Sequence, residues 1–189
     1  MPRSRKILLT TLVVGATSTV AGMGVFAAFT ATTDNPNNSI ASGTVAISDN
    51  DATNTSMYVL PNQGPGSSTQ RCIRVTYGGT LPATVKLYRS NTLTNGTAFN
   101  LQIERGSGVT GAFPSCTGFT SAATIYTGTL AGLGTGYAGG VDARGAAWNQ
   151  TDFVDYRFTV TVVDDPTPNT HSSTVSSGVH AFTWEAQNN

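Results

Sequence analysis

Residues 155–163 read Asp-Tyr-Arg-Phe-Thr-Val-Thr-Val-Val, and their alternation decides the class of fold. Tyr156, Phe158, Val160 and Val162 fall on one side, with Arg157, Thr159 and Thr161 on the other. A strict period of two marks a strand with one buried face. Residues 179–187 repeat the pattern, with His180, Phe182, Trp184 and Ala186 sharing a face.

Earlier in the chain the same signal returns. Over residues 71–77, Ile73, Val75 and Tyr77 alternate with Cys72, Arg74 and Thr76. The first set predicts core, so Cys72 faces outward, free to bridge to the loop holding Cys116. Gly78-Gly79 makes a turn and Pro82 opens a strand over 83–89, with Val85 and Leu87 inward and Lys86 and Tyr88 outward. Further strands are predicted over 44–48, 56–60, 98–104 and 124–130, with 105–123, 133–145 and 164–178 as loops. After the first 30 residues there is no convincing helical period and no internal repeat. Seven to nine short strands between Gly, Pro, Asn and Ser clusters predict an all-β, two-sheet antiparallel sandwich of immunoglobulin or jelly-roll type.

The start of the chain is different. Residues 1–6 carry Arg3, Arg5 and Lys6 and no acid, and residues 7–29 are uncharged. A basic start, an apolar stretch and small residues at its end predict an export signal. Val25 and Ala27 stand third and first before a cut between Ala27 and Ala28, making residues 1–27 the signal peptide. The run is also long enough to span a bilayer, so a retained anchor competes. Thr10, Thr11, Thr17, Ser18, Thr19 and three glycines lower its apolarity. The expected location is therefore secreted, in the extracellular matrix or at the cell surface, with membrane contact only through an uncleaved leader.

Removing the leader leaves seven basic residues against ten acids, 7 − 10 = −3. Lys86 is the single lysine beyond it. No basic patch survives to track a phosphate backbone, which excludes nucleic acid as a partner. The two cysteines, Cys72 and Cys116, predict a disulfide in an oxidising compartment, two free thiols being the alternative. Closing that loop stabilises by about 4 kcal/mol in the chain-entropy model.

Signs of catalysis are missing from the pattern. His171 and His180 belong to no HExxH pair, and there is neither a GxSxG elbow nor a phosphate-cradling loop. Glycines 132, 134, 136, 139 and 140 follow no strand-to-helix switch and read as a flexible loop. Asp49 and Asp51, like Asp164 and Asp165, end predicted strands. Such oxygen-rich ends can hold calcium, but their spacing fits no calcium-loop motif and suits turn formers. Asp152 and Asp155 are placed to pair with Arg144 or Arg157 at the surface, where ion pairs contribute little. Trp148 is expected to pack under the sandwich edge. No catalytic residue, metal, cofactor or small-molecule substrate is expected, and the chain reads as something other than an enzyme.

Phe26-Ala27-Ala28-Phe29 followed by Ile40-Ala41-Ser42-Gly43-Thr44-Val45 resembles the start of the camelysin/TasA family of secreted bacterial biofilm-matrix proteins. Phe182-Thr183-Trp184-Glu185-Ala186-Gln187 resembles that family's final strand, and Tyr156-Arg157-Phe158-Thr159-Val160 the strand before it. Cys72-Ile73-Arg74-Val75 and Leu81-Pro82-Ala83 are similar to members from arginine-rich, lysine-poor bacteria. The resemblance implies a leader removed by a dedicated signal peptidase and a jelly-roll subunit that polymerises head-to-tail with itself. It further implies that residues 28–42 form an N-terminal donor segment ahead of a sandwich over 43–189. The donor strand would be Ala28, Phe29, Thr30, Ala31, Thr32, Thr33, Asp34 and Asn35, with Phe29 as main anchor. The rival readings are a monomeric surface adhesion or binding module and a camelysin-like secreted peptidase.

Overall fold

The computed structural model describes residues 39–51, 55–163 and 176–188. The leader, the cleavage position Ala27/Ala28, the donor strand Ala28 to Asn35, the pair Asp164/Asp165 and His171 lie outside the described residues. One compact unit spans Ser42–Asn189.

Among the described residues there are eight strands: β1 (Ile47–Asp49), β2 (Ser68–Tyr77), β3 (Ala83–Ser90), β4 (Phe99–Ser107), β5 (Thr120–Thr129), β6 (Val141–Asp142), β7 (Phe153–Val162) and β8 (Ala181–Asn188). They form two antiparallel sheets, ordered β1-β2-β7-β4-β5 and β6-β3-β8. The all-β sandwich predicted from the alternation is the observed class.

The inward faces follow the period of two. Ile73, Val75 and Tyr77 of β2, Leu101 and Ile103 of β4, and Tyr156, Phe158 and Val160 of β7 line one side of the core. Ala83, Val85 and Leu87 of β3 line the other, all at 0 % exposure. Each large side chain so buried contributes about 1.5–3 kcal/mol. Trp148 is also fully buried, and its backbone bridges to Ala83 beyond the end of β6.

Four segments depart from expectation. The 44–48 strand is reduced to Ile47–Asp49, and residues 56–60 form no strand. The predicted 105–123 loop shrinks from both ends, because β4 runs on to Ser107 and β5 begins at Thr120. Register shifts at Ile103/Glu104 and Arg105/Gly106 break the side-chain alternation there while the ladder continues. The glycine-rich 133–145 stretch packs closely instead of looping freely. Leu133 and Ala143 are buried, and a Cβ at Gly134 would collide with Gly139 O.

Candidate functional site

Among the described residues the smaller sheet is three strands wide, and β3 fixes its backbone directions. Ala83 exchanges two hydrogen bonds with Trp148 (3.1 and 2.8 Å), Val85 O accepts from Ala143 N (3.0 Å), and Arg89 N donates to Gly134 O (3.0 Å). Odd-numbered residues of β3 therefore face the β6 side, leaving Thr84, Lys86, Tyr88 and Ser90 to bond with β8. The register pairs Lys86 with Glu185 and Tyr88 with Thr183. It follows that the backbone groups of Phe182, Trp184 and Ala186 point away from β3. Among the described residues no strand pairs with that edge.

The side chains of those three residues turn into the sandwich. Phe182 lies 4.5 Å from the Phe158 ring, and Trp184 lies 5.4 Å from Tyr156, centroid to centroid. Yet Phe182, Trp184 and Ala186 are only partly buried, whereas Tyr156 and Phe158 are fully so. A half-covered apolar row beside unpaired backbone is the form of an edge that accepts a strand.

Tyr58 closes one end of this edge. His180 Nδ1 donates to the Gly178 carbonyl (3.2 Å), so the neutral ring accepts at Nε2 from the Tyr58 hydroxyl (2.8 Å). Burial pushes the His180 pKa below its ordinary value, helped by Arg89, and pushes the Tyr58 phenol up. His180 is thus a packed, hydrogen-bonded residue on the predicted face.

The outer face of the larger sheet carries a second cluster. Cys72 and Cys116 form a disulfide, with Cα atoms 5.0 Å apart. Cys72 does point away from the core, as its position in the alternation requires. It is nonetheless 1 % exposed, because the 108–119 loop lies over it and Pro114 O accepts from Cys72 N (3.0 Å). Asp155 is also fully buried beneath this loop and accepts from Val109 N (2.9 Å). Its partner is Arg74, not Arg144 or Arg157, because the β2–β7 register sets Arg74 directly opposite it. Arg157 pairs instead with Glu104, which also accepts from Ser121 Oγ (2.8 Å). Asp152 does meet Arg144, whose guanidinium holds its carboxyl below the usual range.

The acids at the end of β1 act locally. Asp49 Oδ1 accepts from Asp51 N and Asp51 Oδ1 from Thr55 N, both at 2.8 Å. Among the described residues no three His, Cys, Asp or Glu side chains gather as a metal site. No helix there is long and apolar enough to cross a membrane, and the disulfide is compatible with an extracellular location. No protein-family model matches the chain, and no curated protein is significantly similar to it.

Proposed function

We propose that this chain is a secreted structural subunit that polymerises head-to-tail into extracellular matrix or surface fibres, the N-terminal segment of one copy completing the smaller sheet of the next. The observation that carries the reading is the outer edge of β8, unpaired among the described residues and flanked by half-buried Phe182, Trp184 and Ala186.

The strand order supports a jelly roll with one position open. Lettered B to I, the strands of a jelly roll lie in sheets C-H-E-F and B-I-D-G. Here β2-β7-β4-β5 corresponds to C-H-E-F, and β8-β3-β6 to I-D-G. The position left unfilled by the described residues is B, next to β8. Strand B precedes C in the chain, so an N-terminal segment is the natural occupant by order as well as by place.

Residues 28–35 suit that role. In an extended strand Phe29, Ala31 and Thr33 would share a face, and Pro36 would bound the insert because it cannot donate within a ladder. Burying Phe29 contributes about 1.5–3 kcal/mol and each ladder bond about 0.5–1.5 kcal/mol. A contact between unlike surfaces repeats from copy to copy, and where its rotation does not close a ring, a filament results.

The test is deletion of residues 28–35. The variant is expected to stay folded and to elute as a monomer at every concentration, while the parent chain forms filaments in negative stain. Filaments of normal abundance from the deletion variant would overturn the reading. A parent chain that is monomeric throughout would favour a binding module instead.

A further inference from the structure

Where β3 ends, the chain turns through residues 91–97 and leaves an open groove of about 720 Å³ between this turn and residues 131–136. That volume lies in the range of sites that hold a small ligand, roughly 300–1,000 Å³. We infer that this groove binds a hydroxyl-rich ligand bearing a carboxylate, an acidic sugar residue of a polysaccharide being the class it fits.

Arg89 gives the groove its charge. Its Nη1 donates to Asn91 O (2.9 Å) and its Nη2 to Ala131 O (3.3 Å), so the guanidinium is fixed before any ligand arrives. Asn91 adopts φ 72°, the left-handed turn that brings its carbonyl back toward the side chain. Two of the five N–H groups are used in this way, and Nε is buried without a partner. Arg74, Arg144 and Arg157 each meet a carboxylate, but no carboxylate among the described residues pairs with Arg89. A partly buried cation bonded only to neutral carbonyls favours an incoming anion.

The rest of the lining specifies more than charge. Ser90, Thr92, Thr94, Asn95, Thr97 and Thr135 line the groove, a set of residues whose side chains carry hydroxyls and an amide able to donate and accept. That surface matches a ring of hydroxyl groups. Among the described residues no other cation lines it, so the site suits one carboxylate and not a run of phosphates. Tyr88 also borders the groove, its hydroxyl held on Glu185 Oε2 (2.8 Å). The turn is tied back by Thr94 N to Ser177 O (3.1 Å) and Asn95 Nδ2 to Ser176 O (3.2 Å), so the groove is formed within one copy. The inference therefore stands apart from the fibre reading.

Calorimetric titration of the purified full chain with trigalacturonic acid, galacturonate and a neutral trisaccharide tests it. Trigalacturonic acid is expected to bind at least about tenfold more tightly than the neutral sugar, the worth of a charged hydrogen bond. Arg89→Gln should lose about that factor, and a thermal melt reports whether it still folds. Thr135→Asp keeps Arg89 in place and puts a negative charge on an exposed rim position. It should weaken the acidic trisaccharide and leave the neutral one unchanged. If galacturonate binds as well as its trimer, the ligand is a free sugar acid and not a polymer. Equal affinity for acidic and neutral trisaccharides, no binding of either, or indifference to Thr135→Asp would overturn the inference.

Discussion

The Arg74 guanidinium grips the Asp155 carboxylate through two hydrogen bonds, Nε to Oδ1 at 2.6 Å and Nη2 to Oδ2 at 2.9 Å. Arg74 Nη2 also donates to Val109 O (3.0 Å), so the same pair fastens the loop above it. Asp155 is fully buried, and removing its partner strands a charge where water cannot reach. Arg74→Ala is expected to destabilise by about 3–5 kcal/mol, far beyond the 0–1 kcal/mol of an exposed pair. Urea unfolding of Arg74→Ala beside Lys86→Ala, whose ammonium lies over the Tyr137 ring, measures the difference. A loss for Arg74→Ala no greater than for Lys86→Ala would show that the pair is dispensable.

The disulfide fastens the same loop at its other end, across 44 residues of chain. Replacing both cysteines by serine is expected to cost about 2–4 kcal/mol. At about 2–4 °C per kcal/mol, the melting temperature falls measurably, and reductant should lower that of the parent chain alike. Intact mass checks the bridge directly: alkylation before reduction adds no label, and after reduction adds two.

Side-chain facing was legible in the sequence, and pairing was not. Ile73, Val75 and Tyr77, like Val85 and Leu87, sit where a period of two places them, because burial of one face is a local property of the strand. Arg74 and Asp155 stand 81 residues apart, and only the β2–β7 register brings them together. The same register, with the loop laid over it, buries Cys72 on a face that alternation alone leaves to solvent. The start of β5 escaped notice because Ser121, Ala122 and Ala123 carry no apolar alternation, although the backbone ladder runs through them. The open edge of β8 was equally invisible, since alternation assigns faces and says nothing of which strand lies outermost. The groove beside Arg89 joins residues from two separate segments, 88–97 and 131–136, so no short motif announces it.

The histidine at the head of β8 makes stability depend on pH. Burial lowers the His180 pKa from its ordinary 6.5. Between the lowered value and 6.5 the unfolded chain binds more protons than the folded one, so stability rises with pH there. The contribution is fully present above 6.5 and is lost as pH falls through the window below it. Protonation also sets a second N–H against the Tyr58 hydroxyl, which then has to turn its own hydrogen away. Thermal melts from about pH 7.5 down to about 5 should show falling stability, and His180→Gln should flatten that slope. An unchanged slope in His180→Gln would assign the effect to other groups.

Blocking the β8 edge in the folded subunit tests the fibre reading from the acceptor side. The N–H of Ala186 points outward, away from β3, so the β3–β8 ladder does not use it. Proline at that position removes one edge donor and is of the kind that edge strands tolerate. Ala186→Pro is expected to remain a folded monomer with filaments lost or much reduced, because the incoming strand meets a missing donor and a projecting ring. Glu185→Pro is the matched control, since the Glu185 N–H faces Lys86 and belongs to the ladder. That substitution should destabilise the subunit itself by about 3 kcal/mol or more. Sedimentation and negative stain measure assembly, and a thermal melt measures folding. Ala186→Pro filaments equal in length and number to those of the parent chain would place the donated strand somewhere other than β8.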